Sequence, residues 1–223
     1  MFSKFSKKCL LLERKSLPAC YAAVAWCFVQ EIWIHQILHH TNIIKLLGYC
    51  IPNTLFDGTV DTTVTMVTEM GIPLNLSNTT WDQKLKISYE VAELMDFARQ
   101  HPNGSVEMRD FNMGQFVMVN NTVKLVDMAS FRIGEMYCHN MDDCAAKQGP
   151  PKKRALRVPC VNGSCVGLNE KLNVWAYNSR LLREYILPDA PLIFRRRLNN
   201  IVQKADKGEV GIEVIKDILR RMK

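Results

Sequence analysis

Asp110, Gln115 and Asp127 are the side chains of this sequence whose types and spacing suit group-transfer chemistry. They flank two short apolar runs, Phe116 to Val119 and Val123 to Val126, with an Asn120-Asn121 turn and Thr122 between them. Short β-branched runs bounded by turn residues predict a buried hairpin. A hairpin folds its outer ends together, so the three polar side chains are expected to share one small space. Phosphoryl transfer from a nucleotide needs such a set. One carboxylate orients the attacking hydroxyl; a second, with a neutral oxygen ligand, holds magnesium on the phosphates. Two acids around a hairpin are also what solvated turn residues look like.

The elements that must position this stretch are read from periodicity. Ala19 to His39 is strongly apolar at helical spacing and carries Glu31. Ile43 to Cys50 reads as a strand, and residues 51–62 as a polar loop. Thr63 to Thr68 alternates as a strand and runs into Glu69-Met70-Gly71. A helix is predicted from Thr80 to about Gln100, capped by Thr80 or Asp82 and closed by His101-Pro102-Asn103-Gly104. Residues 128–167 read as irregular. Helices follow from Asn169 to Ile186, Leu192 to Ala205 and Val210 to Met222. His35 and His39 have zinc-ligand spacing on a helix but no evident third ligand, so a surface role at the helix end is expected.

The chain has 223 residues, 48% hydrophobic and 23% charged, which indicates a globular protein with a substantial core. Its net charge of +7 gathers at Lys152-Lys153-Arg154, Arg195-Arg196-Arg197 and Arg220-Arg221. These runs lack the interleaved aromatics of a base-stacking surface, so no nucleic-acid partner is expected. No stretch is long enough to span a bilayer. Of eight cysteines, Cys138, Cys144, Cys160 and Cys165 crowd together without C-x2-C spacing. That favours disulfides over zinc and hence an oxidising compartment. Sequons at Asn75, Asn78, Asn103, Asn120 and Asn162 point the same way. The apolar run near the start, Cys9 to Leu12, is too short for a signal-peptide core.

Arg109-Asp110, four residues, Gln115, a hairpin and Asp127-Met128-Ala129 resemble the protein-kinase catalytic loop and the metal-binding motif after it. Met108, Gln115, Met128 and Ala129 stand where the family pattern has His, Asn, Phe and Gly. Further phrases extend the likeness: Leu46-Leu47-Gly48-Tyr49-Cys50, Val67-Thr68-Glu69-Met70-Gly71-Ile72-Pro73, Gln115-Phe116-Val117 and Cys165-Val166-Gly167-Leu168-Asn169-Glu170-Lys171. Together they resemble the divergent secreted tyrosine-protein kinases of the vertebrate lonesome kinase type, over about residues 19 to 215. In that group a Gln at the position of Gln115 and an imperfect D-F-G are usual.

The resemblance implies an α+β, two-lobed kinase-like fold. Residues 1–70 would form a partial small lobe with the Glu31 helix, strands and hinge; residues 71–223 would form the mainly helical large lobe. It implies a catalytic role for Asp110, metal ligation by Gln115 and Asp127, and ATP binding involving Glu31, Thr68, Glu69 and Met70. The implied cofactors are ATP and Mg2+ or Mn2+. The implied reaction is transfer of the γ-phosphate to tyrosines of secreted or extracellular proteins, in the Golgi lumen and outside the cell. A non-catalytic, pseudokinase-like binding module is the alternative. No G-x-G-x-x-G and no V-A-x-K precede Glu31, and Lys4, Lys7, Lys8 and Lys15 lie in no apolar β pattern. The front of the small lobe, with the signal peptide, is therefore expected to lie outside this chain.

Overall fold

A computed structural model describes residues 16–52, 64–148 and 154–222. Most of the expected polar loop, the four early lysines, Cys9 and the Lys152-Lys153 pair lie outside the described residues. The chain divides into two compact units.

The smaller unit holds helix α1 (Leu17–Ile37), strands β1 (Leu46–Cys50) and β2 (Thr65–Thr68), and the segment Asp127–Ala129. Ser16 caps α1, its hydroxyl accepting the Ala19 N–H at 3.4 Å. One face of α1 buries Ala25 and Ile32 against Val64, with Phe28, Val29, Leu46 and Met66 around them. Trp26 and Trp33, seven residues apart, stay half exposed. β1 and β2 pair antiparallel, Tyr49 opposite Met66, with an irregularity between Leu46 and Gly48. The Gln36 amide donates to the Tyr49 hydroxyl at 3.0 Å and ties the helix to this ribbon. The regular strand starts at Leu46, later than its apolar run suggests. Ile43 and Ile44 are buried but stand outside the paired strand.

The larger unit is built on α2 (Trp81–Arg99). Thr80 and Gln83 form a reciprocal capping box, worth about 1 kcal/mol. Leu85, Val91, Leu94, Met95 and Ala98 recur at helical spacing and are buried. Strands β5 (Phe116–Val119) and β6 (Thr122–Leu125) form the expected hairpin, and β3 (Ile72–Pro73) extends it on the β5 side. Asn120 and Asn121 both take positive φ, 48° and 63°, which a two-residue hairpin turn of this hand requires. β4 (Val106–Glu107) pairs with β7 (Arg132–Ile133).

Helix α3 (Leu168–Tyr177) passes directly into a π-helix, Asn178–Ile186. Helices α4 (Leu192–Asp206) and α5 (Ile212–Arg220) complete the unit. Asp96 of α2 joins the helices, bonding Arg99 at 2.8 Å and Lys216 of α5 at 2.6 Å.

The stretch after Asp127 is more ordered than its sequence suggests. It contains a hairpin of β8 (Ala145–Gln148) and β9 (Arg154–Arg157). Two interleaved disulfides, Cys138–Cys160 and Cys144–Cys165, staple it around Val158 and Leu168. The sulfurs of Cys138, Cys144 and Cys165 lie close enough together for a metal, but all three are disulfide-bonded and are not ligands. Cys20 is likewise disulfide-bonded, and Cys27 and Cys50 are free.

Candidate active site

The segment from Asp110 to Gln115 is fixed by its own side chains. Asn112 accepts the Gly114 N–H at 3.1 Å and donates to the Asp110 carbonyl at 3.1 Å. The Gln115 N–H donates to the Asn112 carbonyl at 3.2 Å, closing a short helical turn over Met113–Gln115. Phe111 and Phe116 pack edge to face at 5.5 Å beneath it. The hairpin is held at its far strand: Glu90 of α2 accepts the Val123 N–H at 2.9 Å, and the Asn42 amide donates to the Val123 carbonyl at 2.8 Å.

This folding brings Gln115 and Asp110 together. The Gln115 Nε2 donates to Asp110 Oδ2 at 3.3 Å, while Gln115 Oε1 is buried with no hydrogen-bond partner. An orphaned buried carbonyl oxygen is costly in a folded protein. It is the kind of hard, neutral oxygen that a divalent cation takes as a ligand. Asp110 itself is exposed.

Two asparagines of α3 hold the backbone before Asp110. Asn173, which is buried, accepts the Met108 N–H at 2.9 Å and donates to the Val106 carbonyl at 2.7 Å. Asn169, also buried, donates to the carbonyls of Ser105 at 3.1 Å and Gly134 at 3.0 Å. Tyr177, one turn on, donates its hydroxyl to the Ser88 carbonyl at 2.8 Å, and burial holds its pKa above the usual range. The three positions recur every four residues. The sequence reading missed the asparagines. The signal for them is a polar amide in helical register with Val174, Tyr177 and Leu181.

Asp127 and Glu31 belong to the smaller unit. Asp127 Oδ1 accepts the Ala129 N–H at 3.2 Å, and its other oxygen has no hydrogen bond among the described residues. Glu31 is 7% exposed and accepts the Met128 N–H at 3.2 Å. Burial pushes its pKa up to about 7; the Met128 N–H works against this, and the neighbouring charge of Asp127 adds to it. Among the described residues, no lysine or arginine pairs with Glu31.

Thr68 ends β2 opposite Leu46. The Glu69 N–H donates to the Lys45 carbonyl at 2.9 Å, and its side chain accepts the Lys45 N–H at 2.8 Å. Met70 is 93% exposed. His35 departs from the surface role expected of it: it is buried, Nε2 has no partner, and burial with the charge of His39 lowers its pKa. It lies one turn beyond Glu31, on the side of α1 that faces inward.

No family model matches the chain. The human extracellular tyrosine-protein kinase PKDCC is 31% identical over 200 residues, which is 87% of this chain and 39% of that protein. Wall-associated receptor kinase 1 of Arabidopsis thaliana is 26% identical over 111 residues, 48% of this chain and 15% of that protein. Serine/threonine-protein kinase PCRK1 of the same plant is 24% identical over 161 residues, 67% of this chain and 36% of that protein. The chain is a protein-kinase homologue of the PKDCC type. Its α+β architecture, with a small helix-and-strand unit and a larger, mainly helical one, is protein-kinase-like. The chain spans 39% of the length of PKDCC.

Proposed function

We propose that this PKDCC-type homologue carries the phosphoryl-transfer residues of a tyrosine-protein kinase that acts on secreted or extracellular proteins. The observation that carries the reading is the Gln115 side chain. Its amide is spent on Asp110, and its buried oxygen is left open for a cation. In this reading Asp110 orients the tyrosine hydroxyl and takes its proton. Gln115 and Asp127 are the ligands of Mg2+ or Mn2+, and the ion supplies charge neutralisation on the phosphates of ATP. Thr68, Glu69 and Met70 border the adenine, and Glu31 pairs with a lysine that contacts the phosphates. Residues 1–70 then belong to the small lobe and 71–223 to the large lobe.

Asp110 is free to work in this way. Its Oδ2 accepts the Gln115 amide, and its other carboxyl oxygen makes no hydrogen bond among the described residues, which leaves an oxygen for the incoming hydroxyl. The disulfide staple supports a route through the secretory pathway and the Golgi lumen, as does the exposure of all five sequon asparagines. Among the described residues no helix is long and apolar enough to cross a membrane.

One observation favours a second reading, a pseudokinase-like binding module: the Glu31 carboxylate has a backbone amide as its partner and, among the described residues, no cation. The two readings part in a transfer assay with ATP, Mg2+ and a tyrosine peptide, run on this chain extended by the Gly-rich strands and lysine of a kinase small lobe, the parent chain of the comparison. Asp110→Asn is expected to spare nucleotide binding and lower transfer about a thousandfold or more. Transfer that is undiminished in that variant excludes Asp110 from the chemistry; binding without any transfer in the parent chain selects the second reading.

A further inference from the structure

The larger unit has a cleft of about 140 Å³ beside Asp110. It lies between the segment Glu107–Phe111 and the helical face that presents Leu172, Trp175 and Arg180. At roughly 30 Å³ per water, it has room for one amino-acid side chain and not for a nucleotide. Its charges are unevenly matched. The Glu107 carboxylate is taken by Arg132 at 2.9 Å, and Arg109 reaches it only at 3.9 Å while 61% exposed. Arg180 is exposed and makes no hydrogen bond or ion pair among the described residues. Two guanidinium groups thus border the cleft, with one carboxylate already paired and the other, Asp110, reserved for the reacting hydroxyl.

We propose that this cleft is a subsite for an acidic side chain next to the target tyrosine, held by Arg109 and Arg180 against Trp175. The proposal rests on the reading of Asp110 as the residue that orients that tyrosine, because it takes the occupant to be part of the same peptide. The chemistry follows from the groups present. A planar guanidinium offers paired donors that match a carboxylate, and two of them disfavour a basic residue at the same position. The indole and the Leu172 side chain give an apolar wall for the methylenes of a glutamate. A glutamine fits the same volume but brings no charge, and a lysine meets like charge on both sides.

The test is fluorescence-anisotropy titration of the 223-residue chain with three tyrosine peptides that differ only in Glu, Gln or Lys beside the tyrosine. The Glu peptide is expected to bind about three- to tenfold more tightly than the Gln peptide, as partly exposed charge pairs allow. High salt should shrink the difference. Arg180→Gln should remove most of it, and Arg180→Glu should turn the preference toward the Lys peptide. Equal binding of the three peptides, no binding of any, or an unchanged Glu preference in both Arg180 variants overturns the subsite. Asp110→Asn separates this inference from the reading beneath it. If the charge preference survives and transfer is also unaffected by that change, the subsite stands and the role of Asp110 falls.

Discussion

Glu31→Gln should remove a pH dependence from the stability of the smaller unit. The Glu31 carboxyl is buried, and its pKa stands at about 7 against an ordinary 4.5. Between those two values the folded chain holds a proton that the unfolded chain has released. The stability this provides is full below pH 4.5 and is lost as the pH rises through 7. At about 1.4 kcal/mol per pH unit, the 2.5-unit difference (7 − 4.5) amounts to at most about 3.5 kcal/mol. Glutamine keeps an acceptor for the Met128 N–H and carries no charge, so the cost of ionising a buried group disappears. The assay is urea denaturation in EDTA, in steps from about pH 5 to 8.5. The gain of Glu31→Gln over the parent should be small at the acid end and rise to about 2–3 kcal/mol at the alkaline end. His35 and His40, whose pKa values burial lowers, act in the opposite sense: they lose stability as the pH falls. Both proteins contain them, so they cancel in the difference. A gain that is constant across the series would refute the assignment of the buried ionisation to Glu31.

Asn173→Ala should strip the Met108 N–H and the Val106 carbonyl of their partners. Two newly unpaired buried groups cost about 2–4 kcal/mol in urea denaturation. A change under about 0.5 kcal/mol would mean that the segment before Asp110 is held by other contacts. The disulfides are expected to map as Cys138–Cys160 and Cys144–Cys165 in peptides from unreduced protein. Replacing Cys144 and Cys165 by serine opens a loop with a separation of 21 residues and should cost about 3 kcal/mol. Mapping that finds all four thiols free would remove the staple.

The hairpin is legible in the sequence because its information is local. Phe116–Val119 is β-branched and apolar, and Asn-Asn tolerates the positive φ that a tight turn needs. The α2 helix is legible because its cap and its apolar repeat agree. The β8–β9 hairpin is not, since Ala145–Gln148 carries no alternation and its order comes from two long-range disulfides. The π-helix after Tyr177 is hidden as well, because Leu181, Leu182 and Ile186 fit ordinary helical spacing and only the hydrogen bonds distinguish the two. Asn169 and Asn173 are illegible for a different reason. A polar residue in a helix reads as a surface position until the carbonyls it serves, more than thirty residues away in sequence, are known. The same holds for Lys84, which is buried and paired with Asp189.

The most direct test of the phosphoryl-transfer reading is Mg2+-dependent ATP binding, measured by isothermal titration calorimetry in a parent protein made of this chain extended by the Gly-rich strands and lysine of a kinase small lobe, and in its Asp127→Asn variant. The account predicts that the parent binds ATP with Mg2+ present and loses most of that affinity in EDTA. Asp127→Asn should bind equally weakly in both conditions. Equal Mg2+-dependent binding by the two proteins, or no Mg2+-dependent binding by the parent, would contradict it.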